Sequence, residues 1–265
     1  MVRSLALLFG ATLTLTLTLA AGENWLAAPV PSSPPVNQLR TDGNACGPAC
    51  LVDAFRSGGP KWRASIAQIK GSNDAARVKN LILQYGRKGS RLDPARYRWN
   101  GRFGINATDL TDIANELRSE RWMRKVKAKV LFRDKGDTPE ELLQETHQHL
   151  SASLKRKLPP ILGIRRVAWR SPKGTSIQAW LTVKRHFVVL TGLPAKLPRD
   201  ATSFPVTYHD PWGGKKFRGT IRIPGPKTQG LPTLVADFPN TTVGQSSLQK
   251  EEASCLSLSS AIGLF

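Results

Sequence analysis

Three short runs in the second half of the chain constrain its fold more than any other feature: PPILGIRRVAW (159–169), HFVVLTGL (186–193) and FPVTYHDPW (204–212). Each is rich in apolar and β-branched residues and bounded by Gly, Pro or Asp, a pattern that predicts neighbouring strands of one sheet. The first half carries the opposite signal. In CGPACLVDAF (46–55) the residues Ala49, Leu51, Val52, Ala54 and Phe55 lie on and around one apolar helical face, which Gly58-Gly59 stops. Leu110, Ile113, Ala114 and Leu117 recur at helical spacing between Thr108 and Trp122, with Thr108 or Asn106 as the N-cap. DTPEELLQETHQHL (137–150) opens with a cap at Thr138, Pro139 at the first helical position and Glu141 at capping-box spacing. Residues 60–104 read as small helices and loops. Helices first and strands later predict an α+β fold.

The ends are read from composition. Residues 1–22 hold a lone Arg3, an apolar run from Leu5 to Ala20 and small residues at Ala20, Ala21 and Gly22, the layout of a signal peptide cut before Glu23. That reading predicts a secreted or periplasmic protein. Residues 23–35 form a proline-rich arm, AAPVPSSPP at its centre. The folded domain is then expected over 36–245, and 246–265 reads equally as a packed segment or a loose tail. No later segment has the length or hydropathy of a membrane span, so no transmembrane segment is expected in the mature chain.

The formal net charge of +20 comes from Lys and Arg spread along the chain rather than gathered in a tail. Such a field suits an anionic cell-surface polymer as a partner, but no zinc-finger spacing or aromatic-basic signature points to a specific nucleic acid.

Chemistry concentrates in NACGPAC (44–50). Export leaves cysteines free to oxidise, and three of them, Cys46, Cys50 and Cys255, cannot all pair. A zinc site needs more ligands than His186 and His209 add, so no metal is expected. Three intervening residues exclude a C-x-x-C redox pair. A nucleophile remains: Cys46 precedes Gly47-Pro48 at a helix start, where the helix dipole and an imidazolium favour a thiolate. His186 is the candidate base, opening one strand, and Asp210 its orienting acid, ending the next. Gln38, eight residues before Cys46, supplies an oxyanion donor, with Asn37 and Asn44 as alternatives. Cys50 is the alternative nucleophile; otherwise it packs in the core or bonds Cys255.

The ordered set Q…ACGPA, PPILGI, HFVVLTG and HDPWGG resembles the papain-like cysteine peptidases of the double-glycine leader-peptidase type and their secreted relatives. The resemblance spans roughly 36–217. It implies a papain-like fold, with an N-terminal helical part packed on an antiparallel β-sheet and the site in the cleft between them. It also implies Cys46 as nucleophile, His186 as base and acid, Asp210 as orienting residue, Gln38 as oxyanion donor, a peptide or protein substrate, and no cofactor. Two further readings accompany it: acyl transfer of transglutaminase type by the same triad, and a catalytically idle domain that binds an anionic surface.

Overall fold

The computed structural model describes residues 24–265, and residues 1–22, expected from sequence to be a signal peptide, lie outside them. Among the described residues, the first elements are the short strand β1 (Trp25–Ala27) and three helices, α1 (Cys46–Arg56), α2 (Pro60–Ala67) and α3 (Asp74–Leu81). A two-stranded hairpin of β2 (Trp99–Asn100) and β3 (Gly104–Ile105) leads to α4 (Ala107–Glu116), β4 (Lys127–Val130) and α5 (Pro139–Lys155). Six strands follow: β5 (Ile161–Arg170), β6 (Ala179–Pro194), β7 (Ser203–Asp210), β8 (Lys215–Arg222), β9 (Leu234–Asp237) and β10 (Ser254–Gly263). No helix among the described residues is long and apolar enough to cross a membrane.

The helix caps follow the local chemistry. Asn106, not Thr108, caps α4, accepting from the Asp109 N–H at 2.8 Å. Thr138 and Glu141 form the reciprocal capping box of α5, with Pro139 in its first turn.

The expected α+β fold, a helical part packed on an antiparallel sheet with papain-like architecture, is corrected by the strand order. The sheet runs β6-β5-β10-β9-β8-β7, and β7 pairs again with β6, so six antiparallel strands close into a barrel. β1 extends it beyond β6, and β4 pairs with β10. Register shifts interrupt β5–β6 after Arg166, β6–β7 after Leu190 and β5–β10 after Leu258. Such bulges add bend and twist, which let a sheet curl back on itself. Closure also satisfies edges that an open sheet would leave to water.

The strands that complete the ring have weak sequence signals. β8 is KKFRGTIR and β10 is SCLSLSSAIG, one cationic and the other serine-rich. In β10, Leu256 and Leu258 fill the barrel. Its buried hydroxyls find partners, Ser257 Oγ with Thr233 Oγ1 at 2.6 Å and Ser259 Oγ donating to the Gly163 carbonyl at 2.9 Å. The end of the chain is therefore an internal strand between β5 and β9. The proline-rich arm is likewise held: β1 places Leu26 opposite Leu193, and the Ala28 N–H donates to the Thr191 carbonyl at 2.8 Å.

β6 separates two cores by simple alternation. Val188 and Leu190 point into the barrel with Leu162, Ile164, Val206 and Tyr208, and α5 closes this core with Leu143, Leu150 and Leu154. Phe187 and Val189 point outward, onto Ala49, Leu51 and Phe55 of α1 and the residues of α4. The helix that carries Cys46 thus lies against the outside of the strand that carries His186.

Candidate active site

Cys46 is the first residue of α1, half-buried, and the start of that helix is braced from three sides. The indole N–H of Trp99 donates to the Asn44 carbonyl at 3.0 Å, and the Asn44 N–H to the Gly101 carbonyl at 2.9 Å. The Asn44 carboxamide also donates to the Arg102 carbonyl. Gly47 sits where a Cβ would lie 2.4 Å from Ile105 Cγ2, so only glycine lets the helix enter this close to the β2–β3 hairpin. The N-cap residue, Ala45, offers no side-chain oxygen to the first turn. The N–H groups of Cys46 and Gly47 therefore have no side-chain cap partner, and the helix dipole concentrates at the thiol.

His186 comes from within β6 rather than from its start, since the strand begins at Ala179. The Arg and Lys residues before it are paired into the sheet, which a hydropathy reading of HFVVL does not reveal. His186 shares its face with Val188 and Leu190, so its ring points toward one mouth of the barrel. There its Nε2 meets Asp210 Oδ1 at 2.8 Å, both side chains almost fully buried. Asp210 ends β7 and is fixed by two further donors, the Trp212 N–H and the Thr241 hydroxyl, each at 2.8 Å. Tyr208 steadies Thr241 in turn through a 3.1 Å hydroxyl contact.

Burial by itself pulls the His186 imidazolium down, but its bond to Asp210 and its interaction with Cys46 outweigh that and push it up to about 9. With Nε2 committed to Asp210, Nδ1 is the nitrogen left for Cys46. His186 thus pairs with Asp210 and lies within interaction range of Cys46.

Gln38 is buried and tied to the acid's side of the site: its backbone N–H donates to the Pro211 carbonyl at 2.9 Å. The Gly213-Gly214 turn packs on Asn37 so closely that a Cβ at Gly214, where φ is +64°, would lie 2.9 Å from Asn37 Cβ. The Gln38 side-chain oxygen is buried without a partner. Of the alternatives, Asn44 spends its carboxamide N–H on the Arg102 carbonyl, whereas Asn37 uses only its oxygen, accepting from the Leu39 N–H at 2.9 Å. Among the described residues the carboxamide N–H groups of Gln38 and Asn37 have no hydrogen-bond acceptor and are the donors left for a ligand.

A second His–Asp pair lies behind the first. His209, adjacent to Asp210 but facing the opposite way along β7, places Nδ1 3.0 Å from Asp53 Oδ2 on α1. Asp53 also accepts from the Ser57 hydroxyl at 3.0 Å and the Val36 N–H at 3.4 Å, and all of these groups are buried. Sequence reading passed over Asp53 and Thr241. An acid in the middle of an apolar helical run was the available signal for Asp53; nothing in NTTV marks Thr241.

The spare cysteines are reduced and do not meet. Cys50 belongs to the core under α1, where burial first, then the nearby Cys46, Asp53 and Asp210 charges, push its thiol well up. Cys255 packs with Val167, Leu231 and Val235, and burial raises it to about 11. Neither sits at a helix N-terminus as Cys46 does, although Arg166 and Arg222 lie near Cys255. His147 on α5 is buried, with Nε2 at 2.8 Å from the Pro194 carbonyl and its ring edge-on to Phe204.

A cleft of about 430 Å³ opens beside the triad. Its walls include a near neighbour of each member: Asn44 before Cys46, Lys184 before His186 and Trp212 after Asp210, with residues 242–247 opposite. No group of three or more His, Cys, Asp or Glu among the described residues is placed to hold a metal ion. Compared with known proteins, the chain matches no family model, no curated protein and no solved structure.

Proposed function

We propose that the protein is a thiol hydrolase that cleaves peptide or other amide bonds, working outside the reducing cytosol as its N-terminal sequence suggests. The observation that carries this reading is the buried His186 held between Asp210 and the half-buried thiol at the start of α1. His186 takes the Cys46 proton at Nδ1, and the sulfur attacks the amide carbonyl. The oxyanion is received by the backbone N–H of Cys46 and the Gln38 carboxamide. His186 then protonates the departing amine, and a water, deprotonated by His186, releases the acid from the thioester. Asp210 keeps the ring in the tautomer that presents Nδ1 to sulfur. The resemblance to double-glycine leader peptidases agrees with this chemistry, although the barrel shows that it does not extend to the fold.

The test is incubation with a mixed peptide library, read by mass spectrometry. New termini should appear with the wild type and vanish with Cys46→Ala, and Gln38→Ala should slow turnover about a hundredfold. Products carrying an added amine instead of water would assign acyl transfer to the same triad. A library equally cleaved by Cys46→Ala would contradict the proposal.

A further inference from the structure

The cleft beside the triad has a charge pattern of its own. In the β5–β6 register Arg166 stands opposite Lys184 and Arg165 opposite Arg185, two successive like-charge pairs. Like charges directly opposite on neighbouring strands are destabilising, and here no carboxylate offsets them: among the described residues neither Lys184 nor Arg166 makes an ion pair. The two members of the first pair are used differently. Arg166 is buried and turned to the loop, its Nε donating to the Val243 carbonyl at 3.1 Å and its Nη2 to the Thr241 carbonyl at 2.9 Å. That loop then lies on the stem of Lys184, for a Cβ at Gly244 would be 2.7 Å from Lys184 Cβ. Arg166 thus builds the wall, and Lys184, exposed, is the one formally charged residue among the described residues that line the cleft. Trp212 faces it, 45% exposed, with its backbone N–H fixed on Asp210.

We infer that this cleft is the specificity subsite of the proposed hydrolase and takes an acidic side chain of the peptide substrate. The carboxylate pairs with Lys184, and the aliphatic part of the residue lies against Trp212. The placement of the lining residues two positions from Cys46, His186 and Asp210 sets such a side chain next to the scissile bond. Among the described residues no acid lines the cleft to compete for Lys184. The inference rests on the hydrolase reading for the identity of the occupant.

The test measures alkylation of Cys46, which does not require turnover. N-iodoacetyl derivatives of glutamate amide and lysine amide are compared at low ionic strength by mass spectrometry of the Cys46 peptide. The glutamate reagent should react about fivefold to tenfold faster, the ratio falling to near unity in Lys184→Gln and inverting in Lys184→Glu. Lys155→Glu makes the same change in net charge at the exposed C-terminal end of α5 and should keep the wild-type ratio. If Lys155→Glu and Lys184→Glu shift the ratio equally, the preference belongs to the overall basic field and the subsite is refuted; an unmoved ratio in Lys184→Glu and Lys184→Gln refutes it as well. The hydrolase reading is tested separately with uncharged iodoacetamide, whose rate should fall in His186→Ala. An unchanged rate there would overturn the hydrolase reading while the charge ratio still decides the subsite.

Discussion

Two buried His–Asp pairs sit back to back on β7, and they have been given different work. His186–Asp210 opens toward a thiol; His209–Asp53 is sealed between α1 and the barrel. The acids are comparably supplied, Asp210 by His186, Trp212 and Thr241, and Asp53 by His209, Ser57 and Val36. What separates them is the second side of the imidazole. Strand alternation points His186 to the barrel mouth, where Cys46 arrives, and points the neighbouring His209 at the middle of α1. The inner pair joins the helix that bears Cys46 to the strand that bears Asp210, so it acts as a staple beneath the outer pair. Identical chemistry becomes a site or a brace according to which face of one strand it occupies.

This contrast can be broken from either side. The largest effect is expected from Asp53→Ala, which removes the acid from a buried pair and leaves His209, Ser57 and the Val36 N–H without it. Unfolding free energy should drop by about 3–5 kcal/mol in urea titrations. His186→Ala should instead act on chemistry, lowering turnover by about 10²- to 10⁴-fold, the scale of a lost general base. If Asp53→Ala proved as stable as the wild type, the inner pair would not be a staple.

A smaller effect sharpens the comparison through pH. His186 is raised in the folded protein from an ordinary 6.5 to about 9, so its contribution to stability is complete below about pH 6.5 and is lost as pH rises through about 9. Urea unfolding from pH 6 to 10 should therefore show falling stability across that window. Asp210→Asn should flatten most of the fall. A wild-type curve that stays level would contradict the His186–Asp210 interaction as described.

The strands that hold His186 and Asp210 were legible because the apolar runs around them are long and β-branched. Closure of the barrel was not, because β8 and β10 are polar in composition and earn their places by pairing and by buried hydroxyl bonds. A Ser-rich run such as SCLSLSSAIG has no hydropathy signal to distinguish an internal strand from a tail. The site shows the same division. Cys46, His186, Asp210 and Gln38 are polar residues at the ends or flanks of recognisable elements, whereas Asp53 and Thr241 act through contacts 156 and 31 residues away along the chain. Long-range partners of that kind are fixed by the three-dimensional register and leave no local pattern.

The assignment of Cys46 activation to His186, and not to His209, belongs to the proposed hydrolase reading. It is tested most directly by the pH profile of Cys46 alkylation with iodoacetamide in the wild type, His186→Ala, His209→Gln and Cys50→Ala. The wild type should react at pH 5.5–6, where an ordinary thiol with a pKa of about 8.5 is nearly silent. His209→Gln and Cys50→Ala should keep that acid limb, and His186→Ala should lose it and react like an ordinary thiol. A wild-type profile already matching an ordinary thiol, or an acid limb that survives His186→Ala, would contradict the claim.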